Sequence, residues 1–472
     1  MSHRRLDATL LVFVSLLVIP APSLAAAKGA RPAARSASPA ARPRNAILMI
    51  PDGCGPSAIA LARLCAGRPL ALDSILVGAA STRSATERIT DSAASATALA
   101  TGVKTCNARI SVDTLYRPLG TVLEAARARG MATGLVAMSR ITHATPAAFA
   151  AHADERSSED TIAVQMLAQG VDVMFGGGRR HFVPRTSGGS RRDGRDLLAE
   201  ARARGVQVIV DRAALDGALR PPVLGLFATD HMDYVIDGDS TSQPALSLMA
   251  ARAIELLSKS PGGFFLMIEG SRIDPAAHTN DPATMVREIL EYDRAVQQAL
   301  EFARRDGHTL VVSVADHETG GVSPGRGFGE TSVSDVRPEA LARVSCSAER
   351  MARLMLAGAR PDSLLRVRAG VDSLGPGEEA MLRDGVAGRA ELDLAIGEIE
   401  SRRALVGWTT EGHTACDVGL YAFGPGRERF AGLHDNTDVG RAIAELLGLD
   451  LAAVTARLRE STPVLPRNHG AR

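Results

Sequence analysis

Lysine is almost missing from this chain. It stands only at positions 28, 104 and 259 of 472, so arginine carries nearly all of the 54 basic charges. Set against 53 acidic residues, these leave a net charge of +1. That balance gives no electrostatic reason to expect nucleic acid or an acidic surface as a partner. Aromatic residues make up 3% and cysteines number five. Five is odd, so at least one thiol stays free or pairs between chains. The spacings of Cys54, Cys65, Cys106, Cys346 and Cys416 match no zinc ribbon. Long apolar runs are also lacking. The longest, LLVFVSLLVI at 10–19, is too short to span a bilayer comfortably. Arg4 and Arg5 precede it and the small residues Ser23-Leu24-Ala25 follow, which is the pattern of a secretory signal peptide over 1–27. Residues 28–43, rich in Pro, Ala and Arg, read as a linker too poor in apolar residues to pack. The mature protein is therefore expected to be exported, to a bacterial periplasm or the medium, with no membrane span after cleavage.

What remains is ordinary globular composition, 45% hydrophobic and 23% charged. Short β-branched or aliphatic runs predict strands at 46–50, 133–138, 171–175, 206–210, 264–268, 310–314 and 418–423. Helical patterns lie between them at 119–129, 159–169, 196–204, 245–259, 284–304 and 438–447. Near-continuous apolar strands alternating with helices indicate an α/β fold whose mostly parallel sheet is covered on both faces. The stretch from about 325 to 405 breaks the rhythm. It is charged, helical in pattern over 338–356 and 378–402, and reads as an insertion on the sheet without a core of its own.

In open α/β sheets, ligands bind beyond the carboxyl ends of the strands. After 47–50 comes PDGCG with Asp52; after 135–138 comes SRITHATPAAF with His143 and Thr145. After FFLMI comes EGSRIDPAAH with Glu269, Asp274 and His278; after LVVSV comes ADHETGG with Asp316 and His317. Four strands thus bring carboxylates and histidines to one edge. Asp274 and His278, four apart, share one face of a helical turn. Asp316 and His317 are adjacent, so they converge on one ion only from a loop. Glu269 follows five apolar residues, and a carboxylate at a buried strand end is costly unless paired or bound to a cation. His413 precedes its strand and reaches the same edge if 418–423 runs antiparallel. His3, His181, His231, His308 and His469 have no such context and read as surface residues, while His152 and His434 read as structural.

Imidazole with carboxylate suits Zn²⁺, whereas carboxylates with a hydroxyl and water suit Mg²⁺. The donors suffice for two zinc sites and one magnesium site if Asp52 is shared. In-line phosphoryl transfer uses such an arrangement, with two ions about 4 Å apart. This gives meaning to ITDSAASATALATG at 89–102, where Asp91 and Ser92 read as the start of an alanine-rich helix. A serine there, beside zinc, can lose its proton near neutral pH, and the free amides of the first turn favour a phosphoryl group. Ser95, one turn on, reads as structural.

Together these motifs closely resemble the alkaline phosphatase family of metal-dependent phosphomonoesterases. MIPDGCG, TDSAASATALATGVKT, THATPAAFAAHADER, IEGSRIDPAAH, VADHETGG, GHT and LHDNTDVG occur in the family's order and span most of the mature chain. The resemblance implies a three-layer α/β/α catalytic domain over 44–460 with a short tail at 461–472. It implies Ser92 as the nucleophile that becomes phosphoserine, Asp91 as a positioning residue and Arg156 as the fork holding two phosphate oxygens. Asp274, His278 and His413 resemble ligands of the zinc that activates water. Asp52, Asp316 and His317 resemble those of the zinc that binds the Ser92 oxygen, and Asp52, Glu269 and Thr145 those of the magnesium. The implied cofactors are two Zn²⁺ and one Mg²⁺ per chain, the substrates small phosphomonoesters, and the assembly a homodimer.

Several positions depart from the family pattern. His143 stands beside the magnesium ligands where the enteric bacterial enzyme has Asp and animal enzymes have His, which weakens the expected preference for Mg²⁺. Pro275 follows Asp274 where other members place Lys, His or Trp, and offers product phosphate no donor. Cys54 replaces the usual Met and Pro51 the usual Gly beside Asp52; the Cys54 thiol reads as a buried small residue rather than an extra ligand. A sulfatase would need C/S-x-P-x-R, whereas Ser92 is followed by Ala-Ala-Ser. A phosphodiesterase of the same superfamily is the alternative, and a non-catalytic metal- or phosphate-binding protein a more distant one.

Overall fold

The computed structural model describes residues 42–239, 241–327 and 335–461. The expected leader at 1–27, most of the linker at 28–43 and the tail beyond 461 lie outside them. Among the described residues fourteen strands form, in chain order β1 Asn45–Ile50, β2 Leu76–Ser81, β3 Ala132–Arg140, β4 Val173–Gly177, β5 Gln207–Ile209, β6 Val223–Leu226 and β7 Phe264–Glu269. Next come β8 Thr309–Val314, β9 Glu318–Thr319, β10 Ser323–Pro324, β11 Val406–Gly407, β12 His413–Thr414, β13 Val418–Phe423 and β14 Gly432–Asp435.

Ten of them build one sheet in the order β14-β2-β13-β8-β1-β7-β3-β4-β6-β5. Only β13 runs against the rest, antiparallel to both β2 and β8. Every residue of β1, β7 and β8 is buried, so helices cover both faces, as their unbroken apolar runs require. All seven expected strands form, with ends displaced by up to two residues. Sequence periodicity missed β2, β6 and β14, which are short or built of small residues. Among the described residues no helix is long and apolar enough to cross a membrane.

The helical region leaves and rejoins the sheet through a narrow neck, because β10 and β11 pair antiparallel on either side of it. The two long helices expected there are each broken. Pro338–Ala342 ends before Ser347, which caps Ala348–Leu356 and whose amide is held by Asp237 Oδ1 at 2.9 Å. Pro376–Val386 and Leu392–Ala404 are separated around Gly388, at φ 69°. A further helix, Pro361–Ala369, was not foreseen. Ile396 and Ile399 of Leu392–Ala404 belong to the same core as the sheet. A Cβ on Gly397 would stand 2.7 Å from the carbonyls of Thr279 and Asn280, so only glycine allows so close an approach. Beside it Glu400 is buried against Asp281 with neither carboxylate oxygen hydrogen-bonded; burial, then the Asp281 charge, pushes its pKa well up.

His152 is structural as expected: Nδ1 bonds the Ser111 carbonyl at 2.8 Å and Nε2 lies 3.0 Å from Glu124 Oε1. His434 holds the Ala431 carbonyl, and His308 is exposed. His181 corrects the surface expectation. It is buried, with Nδ1 2.7 Å from Asp160 Oδ1, a partner too far from any motif to be read locally. His3 and His469 lie outside the described residues. All five cysteines are free, and Cys54 is buried with its thiol pKa pushed up by desolvation.

Candidate active site

The four strands β8, β1, β7 and β3 are neighbours at the centre of the sheet, so their carboxyl ends meet. Asp52 lies just beyond β1, Glu269 ends β7, Asp316 and His317 follow β8, and His143 and Thr145 follow β3. His413 arrives by a route the sequence did not reveal. Strand β12 pairs with β9, setting His413 opposite Thr319 in the loop that follows His317.

Ser92 opens the helix Ser92–Thr101, whose cap is Asp91 with its side chain accepting from the Ala94 amide. Ten consecutive buried residues, mostly Ala and Ser, let this helix pack closely beneath the strand ends. Ser95 Oγ donates to the Asp316 carbonyl at 2.6 Å and accepts from Asn436 Nδ2 at 2.9 Å, so its role is to pin the helix to the loop after β8. That pin sets Ser92 Oγ 3.2 Å from His317 Nε2. Arg156 closes the other side: Nη1 donates to Asp91 Oδ2 at 3.0 Å and Nη2 to His143 Nε2 at 3.0 Å. Each terminal nitrogen retains a second N–H.

Three groups of side chains each bring ligand atoms within 4.8 Å of one another: Asp274, His278 and His413; Asp52, Asp316 and His317; and Asp52, His143 and Glu269. In the first, Asp274 and His278 share the face of the helix Ile273–His278. His278 Nδ1 donates to the Glu411 carbonyl at 2.5 Å and His413 Nδ1 to the Thr90 carbonyl at 2.8 Å. Both Nε2 lone pairs are thereby left free; they lie 3.1 Å apart and 3.4 and 3.7 Å from Asp274 Oδ1. In the second, His317 Nε2 is 3.2 Å from Asp316 Oδ2 and 3.6 Å from Asp52 Oδ1, with Asp316 Oδ1 accepting the amides of Gly53 and His317. In the third, both Asp52 oxygens, Glu269 Oε1 and His143 Nδ1 are buried without a hydrogen-bond partner, as is the nearby Thr145 hydroxyl. Carboxylates stranded like this fit divalent cations.

The electrostatics agree. Burial, then the charges of Asp316, Asp274 and Glu269, pushes Asp52 well above the usual carboxylate range. Burial, with the Asp316 charge adding to it, lifts Glu269 to about 7. For Asp274 burial acts upward too, but His278, His317 and His413 outweigh it and hold its pKa down. Burial and Arg156 press His143 well below the ordinary imidazole value, keeping it neutral, with Nε2 accepting from Arg156 and the ring proton on Nδ1.

His231 corrects a second surface expectation: its ring packs edge-on against His143 at 5.4 Å and accepts from Arg140 Nη1 at 2.6 Å. Pro275 is half-buried directly after Asp274, its carbonyl taken by Thr279. Cys54 belongs to none of the three groups. Sequence reasoning missed Thr319, whose hydroxyl donates to Asp274 Oδ1 at 2.6 Å, and Ser139, which donates to Glu269 Oε2 at 3.3 Å. It also missed Asn107, which accepts the Asp91 amide. These are common residue types whose spacing carries no signal.

A serine at a helix start, in contact with one of three cation-fitting groups at the carboxyl edge of an α/β sheet, defines a hydrolase of phosphate esters. The alkaline phosphatase family model matches residues 43–449. The repressible alkaline phosphatase of Saccharomyces cerevisiae is 37% identical over 91% of this chain and 85% of its own length. Alkaline phosphatase 3 of Bacillus subtilis is 36% identical over 86% and 89%. The crystal structure of a cold-active alkaline phosphatase from a psychrophilic Shewanella superposes with TM-score 0.78 at 36% identity, covering 85% of this chain and 99% of that one. The chain belongs to the alkaline phosphatase family, and its activity is that of a phosphomonoesterase.

Proposed function

We propose that this enzyme cleaves small phosphomonoesters in two displacements through a phosphoserine on Ser92. The observation that carries the reading is the contact between Ser92 Oγ and His317 Nε2, which puts the hydroxyl at the Asp52–Asp316–His317 group and at a helix start. Arg156 takes two phosphate oxygens with its outward N–H groups while Asp91 and His143 hold the guanidinium in place. Ser92 Oγ attacks phosphorus and the alcohol leaves; water then attacks the phosphoserine from the opposite side, freeing Ser92 and inorganic phosphate. The amides of the first helical turn favour the anion throughout.

Asp274, His278 and His413 would hold one Zn²⁺, Asp52, Asp316 and His317 a second, and Asp52, Glu269 and Thr145 a Mg²⁺. When bound, such ions supply Lewis-acid charge that lowers the proton affinity of a hydroxyl and offsets charge on a departing oxygen. His143, an imidazole rather than a carboxylate, stands beside the third group and makes its choice of Mg²⁺ less selective. In the alkaline phosphatase of the Antarctic bacterium TAB5, histidine-to-glutamate and histidine-to-aspartate variants have Mg bound in the M3 site, at 28% identity and TM-score 0.66 to this chain. Export, read from the segment at 1–27, and a homodimer, read from the family resemblance, complete the proposal. N-terminal sequencing of the secreted protein and light scattering test these two.

The central test is covalent trapping. Labelled phosphate incorporates into the parent enzyme at low pH and not into Ser92→Ala; label retained in that variant would refute the assignment. Hydrolysis of a mononitrophenyl ester should far outpace that of the bis ester, which separates the diesterase alternative.

A further inference from the structure

The dipeptide Asn107-Ala108, just beyond the motif TDSAASATALATGVKT, joins the elements that carry Ser92 and Arg156. Asn107 Oδ1 accepts the Asp91 amide at 3.2 Å. Its Nδ2 donates to Glu87 Oε2 at 2.5 Å and to the Ile89 carbonyl at 3.1 Å. One side chain therefore clasps the whole segment leading into the nucleophile. The next residue continues the connection: the Ala108 amide donates to Asp91 Oδ2 at 3.0 Å, and its carbonyl accepts the Arg156 amide at 2.7 Å. Asp91 Oδ2 also accepts from Arg156 Nη1, so Asp91, Ala108 and Arg156 form a closed ring of hydrogen bonds. Ala108 holds φ 68°, a left-handed conformation that its Cβ disfavours and that persists only where the surroundings over-determine it.

We propose that Asn107 is a positioning residue for phosphoryl transfer, setting the distance between the Ser92 hydroxyl and the Arg156 guanidinium. Two groups must meet one phosphoryl unit, one at phosphorus and one at its equatorial oxygens. Their main chains come from separate parts of the sequence, and Asn107-Ala108 bonds to both. Freed of the Asn107 clasp, Asp91 keeps its cap on Ala94 but loses the bond that fixes its own amide, and the Arg156 fork drifts relative to Ser92. A misplacement of about 1 Å at this point is enough to lower the rate up to about 100-fold.

This proposal rests on Ser92 and Arg156 acting as described above, and its test separates the two. Inorganic phosphate is titrated calorimetrically into the enzyme as isolated, alongside kcat, KM and thermal midpoint. Arg156→Ala should weaken phosphate binding at least about tenfold; if it does not, the role given to Arg156 falls, whatever Asn107 does. Given that control, Asn107→Ala should weaken phosphate about tenfold and lower kcat/KM about 10- to 100-fold. Asn107→Asp keeps the acceptor for the Asp91 amide but sets a carboxylate against Glu87 and the Ile89 carbonyl, and should also lose affinity. Adding Glu87→Gln to Asn107→Asp returns a donor to that contact and should recover most of the loss. Phosphate affinity and kcat/KM within twofold of the parent in both Asn107 variants would overturn the proposal, even if the thermal midpoint fell. So would a loss in Asn107→Asp that Glu87→Gln leaves untouched.

Discussion

Ser92 and His317 are 225 residues apart in the chain, yet Oγ of one lies 3.2 Å from Nε2 of the other. Neither residue arranges this alone. Ser95, one turn along the same helix, grips the carbonyl of Asp316, and Asn436 grips Ser95 from a third element. The nucleophile is thus registered against its neighbouring group by an unreactive serine.

Replacing His143 by Asp gives the third group oxygen ligands alone, which Mg²⁺ prefers. The Mg²⁺ concentration that half-activates metal-depleted enzyme should fall about tenfold. His143→Asp also sets a second carboxylate beside Arg156, so the inhibition constant of phosphate should rise. An unchanged Mg²⁺ dependence would remove His143 from the third group.

Pro275→Lys places an ammonium directly after Asp274, where the parent has no donor. Product phosphate should bind about tenfold more tightly, or about 1.4 kcal/mol. Inhibition constants for phosphate measured across alkaline pH check this, and equal constants would rule it out.

Glu400 is a buried carboxyl whose pKa is raised, so the folded state holds its proton more tightly than the unfolded chain does. Its contribution is fully present below the ordinary carboxylate value of 4.5 and is lost as pH climbs through the raised folded value. The loss runs at up to about 1.4 kcal/mol per pH unit within that interval. Glu400→Gln cannot ionise, and its amide can donate to Asp281. Urea midpoints should therefore favour the variant at pH about 9 and not at pH about 4; parallel profiles would contradict the account.

His152 and Glu124 form a different kind of pair. Burial lowers the His152 pKa, but Glu124 outweighs it and the net shift from 6.5 is upward. Burial raises the Glu124 pKa, but His152 outweighs it and the net shift from 4.5 is downward. The His152 contribution is present below about 6.5 and fades as pH rises through its raised value; that of Glu124 is present above about 4.5 and fades as pH falls. His152→Gln should thus cost about 1.5–3 kcal/mol between those limits and less on either side. Denaturation series at pH about 5.5 and about 9 measure the difference, and a cost independent of pH would count against the ion pair.

The strand ends were legible because each ligand follows an apolar run, and chain order places it at the carboxyl edge once the sheet is parallel. Asp52, Glu269, Asp316 and His317 were found that way. His413 was foreseen through an antiparallel β13, which forms, but the contact itself comes from the two-residue ribbon of β12 with β9, too short for any period to register. His181 and His231 misled because their partners, Asp160 and Arg140, come from elements remote in sequence. The first broken helix of the insert followed helical spacing as far as Ser347, which instead caps the next helix and gives its own amide to the distant Asp237, a choice made by tertiary contact.

The pairing of β12 with β9 has a consequence for how the enzyme comes into being. His413 lies beyond the whole helical insert, and the Asp274–His278 pair lacks its third member until that residue has been synthesised and the ribbon has closed. A nascent or truncated chain ending before it can assemble at most two of the three groups, and it lacks the Asn436 contact that holds Ser95 and the His413 contact to the Thr90 carbonyl. Catalytic competence therefore waits on His413 and on Asn436, which grips Ser95 from further along the chain.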